Sequence, residues 1–488
     1  MTAGRFDLTR WAFLRLLAIV YAIAFASLAV QITGLVGEAG ILPAGDYLSL
    51  AHARLGAYAW WRLPTLCWLT GTGDVALLAL AWGGVALSGL LFANLAPALV
   101  CPLLWLAYLS LSVVGQVFLN FQWDALLLET GLLACLWAPC GLRPGIASGT
   151  PRSVVWLLWL LVFKLNVMSG LVKLTSGDPT WWDLSALEYH YWTTCLPTWT
   201  GWFAHHLPSS VHRTSAGVMF FVELVVPFGI LGPRRLRHAT AGVLAALQIG
   251  IAATGNYGFF NLLTIVLCVP LLDDPAIGRI LPTRLTTMPP ALDRPGFGLR
   301  VGRGILVAAL ATASVASMLV RFISTDSLPA PVPLMLRTIA PLRSVNGYGL
   351  FANMTTSRPE IMIEGSRDGR TWTPYVFRWK PGEPTRRPAF MQPHMPRLDW
   401  QMWFAALQGT QRAHWFRPFL ARLAEGSPPV LGLLAADPFP EGVPRHLRST
   451  VHLYEFSTPE ERADTGRWWT RRFVGPYDSR WDAPPGHQ

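Results

Sequence analysis

The stretch WLLWLLVFKLNVMSGLVKLTSGDPTWWDLSALEYHYWTTCLPTWTGWFAHHL, residues Trp156–Leu207, decides the fold of this chain. Its first part is an apolar run long enough to cross a bilayer, and this run contains Lys164 and Lys173. A charge at membrane depth costs roughly 2.5–3.5 kcal/mol on insertion scales, so such a lysine usually faces the protein interior or a wet cavity. The second part is a polar, tryptophan-rich loop. The sequence therefore predicts a buried polar site where this helix meets its loop.

The composition of the whole chain is that of a polytopic membrane protein. Of its 488 residues, 52% are hydrophobic and only 14% are charged, against roughly 25% charged in ordinary soluble domains. The net charge of +11 comes largely from short loops between apolar segments, where basic residues orient membrane helices. No nucleic-acid recognition motif is present, so we predict no nucleic-acid partner. The six cysteines show no zinc-binding spacing, and we predict neither a metal nor another cofactor.

Nine apolar segments approach the roughly 20 residues that a helix needs to cross the hydrocarbon layer. The sequence thus predicts a polytopic α-helical membrane bundle of about nine spans. The weakest segment carries two acids, Asp124 and Glu129, near its start, so whether residues 125–142 fully span or form a re-entrant element stays open. The nine segments are Trp11–Val36, Val75–Leu95, Ala98–Leu119, Ala125–Leu142, Val154–Leu174, Ser215–Leu231, Ala239–Thr254, Phe259–Leu272 and Ile305–Ile323.

Arginines in the loops predict the orientation of the bundle. With nine spans they all fall on one face, which should be cytoplasmic because positive loops stay inside. The tryptophan-rich loop 175–213 and the chain after the ninth span are then exoplasmic. Cys67 and Cys195 share that side, which leaves a disulfide between them open. The loop arginines are Arg5, Arg10, Arg143, Arg152, Arg234, Arg235, Arg237, Arg279, Arg284, Arg294, Arg300 and Arg303.

The chain divides into a multi-span membrane domain, 1–327, a proline-rich linker, 328–334, and an exoplasmic β-rich α+β domain, 335–488. Alternation and an Asp-Gly turn predict a hairpin in the last part, followed by two short helices and two late strands. A sandwich is one arrangement compatible with these elements. The predicted strands are Glu360–Glu364, Thr371–Trp379, Arg448–Phe456 and Trp468–Val474, and the predicted helices are Leu398–Leu407 and Trp415–Leu423.

Polar side chains within the spans allow more than one interpretation. They form interhelical hydrogen bonds and Lys–Glu or Lys–Asp pairs that hold the bundle together, or they line a pocket anchored by Lys173. In the second interpretation Lys173 is a base, assisted by Asp183, Glu188 or His190, and the aromatic loop covers a lipid-soluble, quinone-like or lipid ligand. A proton or ion pathway is a third option, although no internal repeat suggests a transporter.

The C-terminal part contains no catalytic motif of the GxSxG, P-loop or HExxH type. Its helix LDWQMWFAAL places Trp400, Trp403 and Phe404 on one face. That face is either core or a patch that binds exposed apolar surface of a client protein. Arg397 and Asp399 at the start of the helix complete this candidate client-binding set, with a structural ion pair as the alternative for the two charges.

Several long stretches carry a resemblance to a known family. They are NFQWDALLLETG (120–131), SGLVKLTSGDPTWWDLSALEYHYWTTCLPTW (169–199), NGYGLFANMT (346–355), RPEIMIEGSRDGRTW (358–372) and PHMPRLDWQMWFAAL (393–407). On these residues the chain resembles the lipase maturation factor family. The resemblance implies a membrane-anchored factor that assists the folding or assembly of secreted enzymes such as lipases. Its implied partners are a secreted lipase-like client and membrane lipid.

A shorter likeness concerns the vitamin K-dependent carboxylase-like membrane superfamily. The sequence GLVKL at 170–174, followed by Trp181, Trp182 and Asp183, is similar to a lysine-containing stretch there. The likeness implies shared architecture, and it motivates the alternative of a membrane-embedded enzyme with Lys173 as base. The composition favours a bacterial inner-membrane protein with a periplasmic C-terminal domain. In a eukaryote the corresponding site is the endoplasmic reticulum membrane, although the chain ends in APPGHQ without a KDEL-type signal.

Overall fold

The computed structural model describes residues 6–146, 150–280 and 297–482. Three arginines of the orientation prediction, Arg5, Arg284 and Arg294, lie outside these residues, and the side chain of Arg300 is also outside the description. An α-rich N-terminal part precedes a small antiparallel sheet with its own short helices. The predicted order of a helical bundle followed by a β-containing part is therefore confirmed.

Seven helices are long and apolar enough to cross a membrane, which makes this a multi-pass membrane protein. Each contains an apolar stretch of at least 18 residues with few charges, which is enough to cross the hydrocarbon layer. Their bounds are Asp7–Ala29, Asp74–Phe92, Pro97–Val114, Arg152–Thr175, Ser209–Leu231, Arg234–Thr254 and Val301–Leu319.

Two further apolar helices are shorter than these seven. Gln122–Trp137 has 16 residues, or about 24 Å at about 1.5 Å per residue, against roughly 30 Å of hydrocarbon. Phe260–Leu271 is shorter still. They occupy the fourth and eighth predicted segments, so each of the nine segments contains a helix. The number of complete crossings stays a prediction, because seven of the nine helices have the length that a crossing requires.

One end of the bundle collects the arginine-rich loops. The carboxylate of Asp274 accepts a hydrogen bond from the backbone N–H of Asp7 at 3.0 Å. Arg10 donates to the carbonyl of Ile146 at 3.3 Å, and Arg237 donates to the carbonyl of Leu271 at 2.9 Å. The N-terminus of the first span and three loops thus meet at the same end.

The C-terminal part is fixed to the opposite end of the bundle. Gln31, just after the first span, donates to the carbonyl of Met395 at 2.8 Å and accepts from the backbone N–H of Arg397 at 2.9 Å. Ser27 lies 3.0 Å from Nδ1 of His394. One hydrophobic core runs through both parts. The β-containing part is therefore packed directly on the spans.

The short helices lie between the spans and around the sheet. Their ends carry standard caps: Asp178 and Thr198 accept from backbone N–H groups two and three residues ahead, and Thr458 forms a capping box with Glu461, as is typical of helix starts. The short helices are Ile32–Val36, Ala44–Leu55, Tyr58–Arg62, Cys67–Thr70, Pro179–Trp182, Ala186–Thr193, Trp199–His205, Asp274–Ile277, Pro331–Ile339, Arg397–Gln408, Phe416–Ala424, Pro428–Leu431 and Pro459–Thr465.

Four antiparallel strands form one sheet in the order β2-β1-β3-β4. They are β1 (Pro359–Ser366), β2 (Thr373–Pro374), β3 (His446–Phe456) and β4 (Trp469–Asp482). The predicted hairpin and the two late strands are confirmed, although β2 is only the two residues Thr373 and Pro374. A sandwich is wrong for the described residues, since they contain a single sheet, and the helix Arg397–Gln408 packs against β1 instead of a second sheet.

The Asp-Gly turn of the hairpin forms as the sequence predicts. Gly369 has a φ of 72°, a conformation that glycine adopts without strain. The carboxylate of Asp368 accepts from the backbone N–H groups of Arg370 and Thr371, both at 2.8 Å. These bonds, the one to Thr371 first, hold the pKa of Asp368 well below its usual range.

The predicted linker 328–334 differs from the structure, because a helix, Pro331–Ile339, begins inside it. Prolines are tolerated in the first turn of a helix, where their missing N–H has no intrahelical partner. The chain then returns to the bundle through residues 343–351. Cys67 and Cys195 are both buried and both free. The domain boundaries drawn from the sequence stay a prediction.

Candidate functional site

Lys173 lies in the last turn of the helix Arg152–Thr175 and forms an ion pair with Glu223 of a neighbouring span. Its Nζ lies 2.7 Å and 3.0 Å from the two carboxylate oxygens and 3.2 Å from the carbonyl of Ser169. The ring of Trp181 lies 5.5 Å from the ammonium. All three donors of the ammonium therefore have partners, and both charges are buried. The pair with Glu223 accounts for the buried Lys173 without a substrate, so the structure does not support Lys173 as a base.

The loop acids lie apart from Lys173. Asp183 is exposed and accepts from the backbone N–H of Ser185 at 2.8 Å. The side chain of Ser185, and after it this backbone hydrogen bond, hold the pKa of Asp183 below its usual value. Glu188 lies 3.8 Å from Arg213 and accepts from the hydroxyl of Ser209. Both acids therefore organise the turns of the loop.

His190 is the loop residue of the enzyme hypothesis whose pKa is affected by Lys173. Its Nε2 lies 2.9 Å from the hydroxyl of Tyr257. Burial, together with the ammonium of Lys173, lowers the pKa of His190 to about 4. The imidazole is therefore neutral near pH 7 and accepts or donates a single hydrogen bond here. Of the other three residues in the enzyme hypothesis, His190 is influenced electrostatically by Lys173, and the two acids bond to Ser185, Ser209 and Arg213 instead.

A second ion pair lies deeper in the bundle and accepts hydrogen bonds from residues of the C-terminal part. Nζ of Lys164 lies 2.5 Å from Oε1 of Glu129, within reach of the hydroxyl of Ser314. The hydroxyl of Tyr348 donates to the other carboxylate oxygen at 2.7 Å, and the backbone N–H of Asn346 donates to it at 3.2 Å. With the Lys173 pair, this cluster confirms the interpretation that Lys–Glu pairs hold the bundle together.

The third pair joins the two parts of the protein. The guanidinium of Arg397 binds the carboxylate of Asp124 through two hydrogen bonds of 2.8 Å each. The hydroxyl of Tyr108 donates to the same carboxylate at 2.6 Å, and Arg397 donates to the carbonyl of Phe118 at 2.8 Å. Bidentate pairs of this kind are strong and geometrically specific. Asp124 and Arg397 are separated by 273 residues in the chain.

The candidate client-binding residues lie at this junction. Trp400 and Trp403 are buried, and the indole N–H of Trp403 donates to the carbonyl of Thr193 at 2.9 Å. Asp399 is also buried and accepts from the backbone of Trp379 at 2.9 Å. Phe404 stacks on the ring of Phe121 and is partly buried. Arg397, Trp400 and Phe404 contact the start of the helix Gln122–Trp137, whereas Trp403 contacts the tryptophan-rich loop and Asp399 bonds within the C-terminal part. All five therefore present little surface to a client in this structure.

Arg358 is a junction residue that the sequence analysis did not single out. It is fully buried and donates to the carbonyls of Trp192, Thr194 and Cys195 in the tryptophan-rich loop. Its charge is balanced by Glu360 at 2.7 Å. Glu360, at the start of β1, is buried together with this arginine. The one available signal was an arginine two residues before a glutamate on the same side of a strand.

Residues 255–258 complete the junction. The side-chain amide of Asn256 donates to the carbonyl of Ala389 at 2.8 Å, and its carbonyl accepts from the backbone of Met391 at 3.1 Å. Gly258 has a φ of 57°, and a Cβ there would approach the sulfur of Met395 to 2.8 Å. The close approach of the two parts therefore requires glycine at this position.

Comparisons with known proteins match both parts of the chain. Residues 8–279 match the model of the lipase maturation factor transmembrane domain, and residues 344–479 match that of the lipase maturation factor C-terminal domain. Lipase maturation factor 2 of Rattus norvegicus is 37% identical, covering 95% of this chain and 81% of the relative. The Homo sapiens protein of the same name is 36% identical over 96% of this chain and 82% of its own length.

Lipase maturation factor 1 of Bos taurus is 35% identical, covering 98% of this chain and 89% of the relative. No solved structure matches the chain. The ion-pair residues Asp124, Lys173 and Arg397 lie within the matched ranges. The agreement over both parts and nearly the whole length shows that this chain belongs to the lipase maturation factor family.

Proposed function

We propose that this protein is a membrane-anchored maturation factor that assists the folding or assembly of a secreted lipase. The observation that carries the proposal is the match of both parts of the chain to lipase maturation factors. The junction supports it physically. A sheet-containing part locked onto one end of a membrane bundle presents its free surface to proteins beside the membrane, at a fixed distance from it.

We further propose that the C-terminal part is exoplasmic, in the periplasm of a bacterium or in the lumen of the endoplasmic reticulum of a eukaryote. Its support is that the arginine-rich loops lie at the opposite end of the bundle, where positive charge marks the cytoplasmic side. Both short apolar helices also run between the two ends. One connects Asp124, bound to Arg397, with Ile146; the other connects Asn256 with Leu271. This favours nine crossings.

The client surface belongs to the exposed side of the C-terminal part. The candidate client-binding residues of the sequence analysis then act in maturation by positioning this part on the bundle. They are Arg397, Asp399, Trp400, Trp403 and Phe404. The alternative of an enzyme with Lys173 as base lacks support, because Glu223 holds the ammonium and no catalytic motif accompanies it.

The proposal is tested by co-expressing a secreted lipase with the full-length protein in a host that lacks it. A photo-crosslinking amino acid at the exposed position Arg370, in the sheet part, should capture the lipase. The same group at Arg235, exposed at the arginine-rich end, is the matched control and should capture none. The specific activity of the secreted lipase should fall to the level without the factor when residues 335–488 are deleted.

Unchanged specific activity of the lipase in cells that lack the factor altogether would contradict the proposal. Capture from Arg235 instead of Arg370 would contradict the orientation. The double variant Lys173→Met/Glu223→Leu tests the enzyme alternative, because it removes both charges without leaving one unpaired. We expect lipase maturation to continue at the wild-type level per folded molecule.

A further inference from the structure

Residues 44–70, here called the interfacial segment, carry an exposed aromatic surface that the family match does not explain. The segment contains the helices Ala44–Leu55, Tyr58–Arg62 and Cys67–Thr70. From residue 49 to residue 62 nearly every side chain is exposed. Tyr58 is 59% exposed, and two adjacent tryptophans, Trp60 and Trp61, are 46% and 45% exposed. Contiguous apolar surface of this kind marks a contact with protein or membrane.

The position of the segment indicates which environment covers its exposed aromatic surface. The backbone N–H of Leu66 donates to the hydroxyl of Ser110 at 2.9 Å, and the hydroxyl of Thr65 donates to the carbonyl of Ser110 at 3.2 Å. Ser110 lies in the last turns of the span Pro97–Val114. The segment is therefore held at the end of a membrane helix, at the depth where hydrocarbon gives way to headgroups.

The exposed surface is also continuous with the lipid-facing surface of the next span. Leu69, at the end of the segment, is 75% exposed, and Val75, in the first turn of the span Asp74–Phe92, is 82% exposed. Most of that span faces outward. An apolar surface that joins a lipid-facing helix without interruption meets the same solvent, which is the bilayer.

The C-terminal part lies at the same end of the bundle as the interfacial segment. Arg422 donates to the carbonyl of Gly40 at 2.9 Å, and the hydroxyl of Ser427 donates to the carbonyl of Ala39 at 2.7 Å, a few residues before the segment. The segment therefore touches the membrane on the side that carries the sheet.

Two arginines give the segment a preference in charge. Arg54 and Arg62 are exposed and flank Tyr58 at a spacing of four residues on either side. Neither forms an ion pair with a carboxylate within the described parts of the chain. Tryptophan and tyrosine prefer the membrane–water interface, and long basic side chains reach from there to the headgroup phosphates. Interfacial helices bind by this combination of buried apolar area and attraction to anionic lipid.

We propose that the interfacial segment lies flat in the headgroup layer on the side of the C-terminal sheet, where Arg54 and Arg62 bind the phosphates of anionic phospholipids. The stacking of Trp60 on Trp68, with ring centroids 5.4 Å apart, and the bond from Trp68 to the carbonyl of Leu63 at 2.9 Å stiffen the segment. The lipid contact then fixes the height of the sheet above the membrane. It is independent of which client the protein serves.

The depth of the segment is tested on the full-length protein in vesicles of phosphatidylcholine and phosphatidylglycerol. In a Cys140→Ser background, which removes the one exposed cysteine, a nitroxide is attached at Leu55→Cys. We expect this label to be more accessible to oxygen than to a water-soluble nickel chelate. The matched label at Arg412→Cys, exposed in the C-terminal part, should show the reverse. A water-like profile at position 55 would overturn the proposal.

The charge preference is tested by native mass spectrometry of the full-length protein with phosphatidylglycerol as the probe. Each arginine near a membrane surface contributes about a fivefold gain in binding, so Arg54→Gln/Arg62→Gln should lower phosphatidylglycerol retention about 25-fold. Arg54→Lys/Arg62→Lys should keep most of it, and Arg370→Gln/Arg412→Gln should change it less than about twofold. Wild-type retention in the glutamine variant, or a mass of two chains held by this surface, would overturn the proposal.

Discussion

Two buried ion pairs near the same end of the bundle differ in what they join. Lys173 and Glu223 connect two spans, whereas Asp124 and Arg397 connect a span with the C-terminal part. Both pairs have their remaining hydrogen-bonding groups largely satisfied, so each is stable where it lies. The comparison teaches that the same chemistry serves two purposes here. One pair holds the membrane helices together, and the other fixes the sheet to them.

The largest effect is expected when the pair between the two parts is broken. Arg397→Met leaves the Asp124 carboxylate buried without its partner, which should lower the free energy of unfolding by about 3–5 kcal/mol. Because the pair connects the two parts, limited proteolysis should then cut the C-terminal part faster. Thermal unfolding in detergent and the proteolysis rate measure both effects.

Arg417→Met is the matched control for this variant. Arg417 pairs with Asp478, but its side chain is 69% exposed, and pairs at the surface contribute about 0–1 kcal/mol. Equal losses of stability in the two arginine variants would show that burial of the Asp124 pair does not matter.

Breaking the pair within the bundle should sharpen the comparison. Lys173→Met leaves Glu223 unpaired and should destabilise by about 3–5 kcal/mol, while Lys173→Met/Glu223→Leu should recover most of this loss. Neither variant should speed proteolysis of the C-terminal part relative to its unfolding, because this pair joins only spans. A double variant as unstable as the single one would contradict the assignment of a purely structural pair.

The loop at the junction should make stability depend on pH. The pKa of His190 is about 4 in the folded protein, against 6.5 for an unperturbed histidine. Between these values the unfolded state binds more protons, so stability is full above pH 6.5 and falls as the pH drops toward 4. Burial and the ammonium of Lys173 are the causes.

His190→Gln should flatten this pH dependence, because glutamine keeps a partner for Tyr257 and does not titrate. The midpoint of thermal unfolding at pH 7.5 and pH 5 measures it. Two other histidines, His205 and His394, also have pKa values lowered to about 4, so part of the slope should remain. An unchanged slope in His190→Gln would show that His190 does not contribute.

The smallest effect concerns a single hydrogen bond across the junction. Trp403→Phe removes the donor to the carbonyl of Thr193 and should lower the free energy of unfolding by about 1 kcal/mol. Trp182→Phe is the control, since Trp182 is 66% exposed, and its midpoint of thermal unfolding should not change. A loss in Trp403→Phe as large as in Arg397→Met would mean that packing of the helix face, more than the ion pair, holds the two parts together.

The sequence predicted those structural features that depend only on residues close together in the chain. Apolar runs located each span, and the Asp-Gly turn at Asp368 located the hairpin, because both signals lie within one segment. It also offered a Lys–Glu or Lys–Asp pair as one interpretation of Lys173, since an unpaired charge at membrane depth is costly. It could not say which carboxylate this is, because Glu223 lies 50 residues away.

The contacts at the junction between the two parts could not be predicted, because they also join residues far apart in the chain. Arg358 and Arg397 bind carbonyl groups 163 to 279 residues away in the chain, and the local sequence does not show which groups these are. The amphipathic helix with Trp400 and Trp403 was predicted, but its apolar face allowed either core or a client patch. Only the position of the spans decides between them. The helix Pro331–Ile339, which begins inside the predicted linker, was not foreseen because prolines that end one element also begin the next.

The contacts of the first span set an order for biogenesis. Ser27 and Gln31 are synthesised more than 360 residues before their partners, residues 394–397. Similarly, the carboxylate of Glu129 accepts a hydrogen bond from Tyr348, which is synthesised much later. The inserted helices therefore hold polar groups without these partners until residues 348 and 394–397 have been made. A chain that stops before them leaves this end of its bundle open.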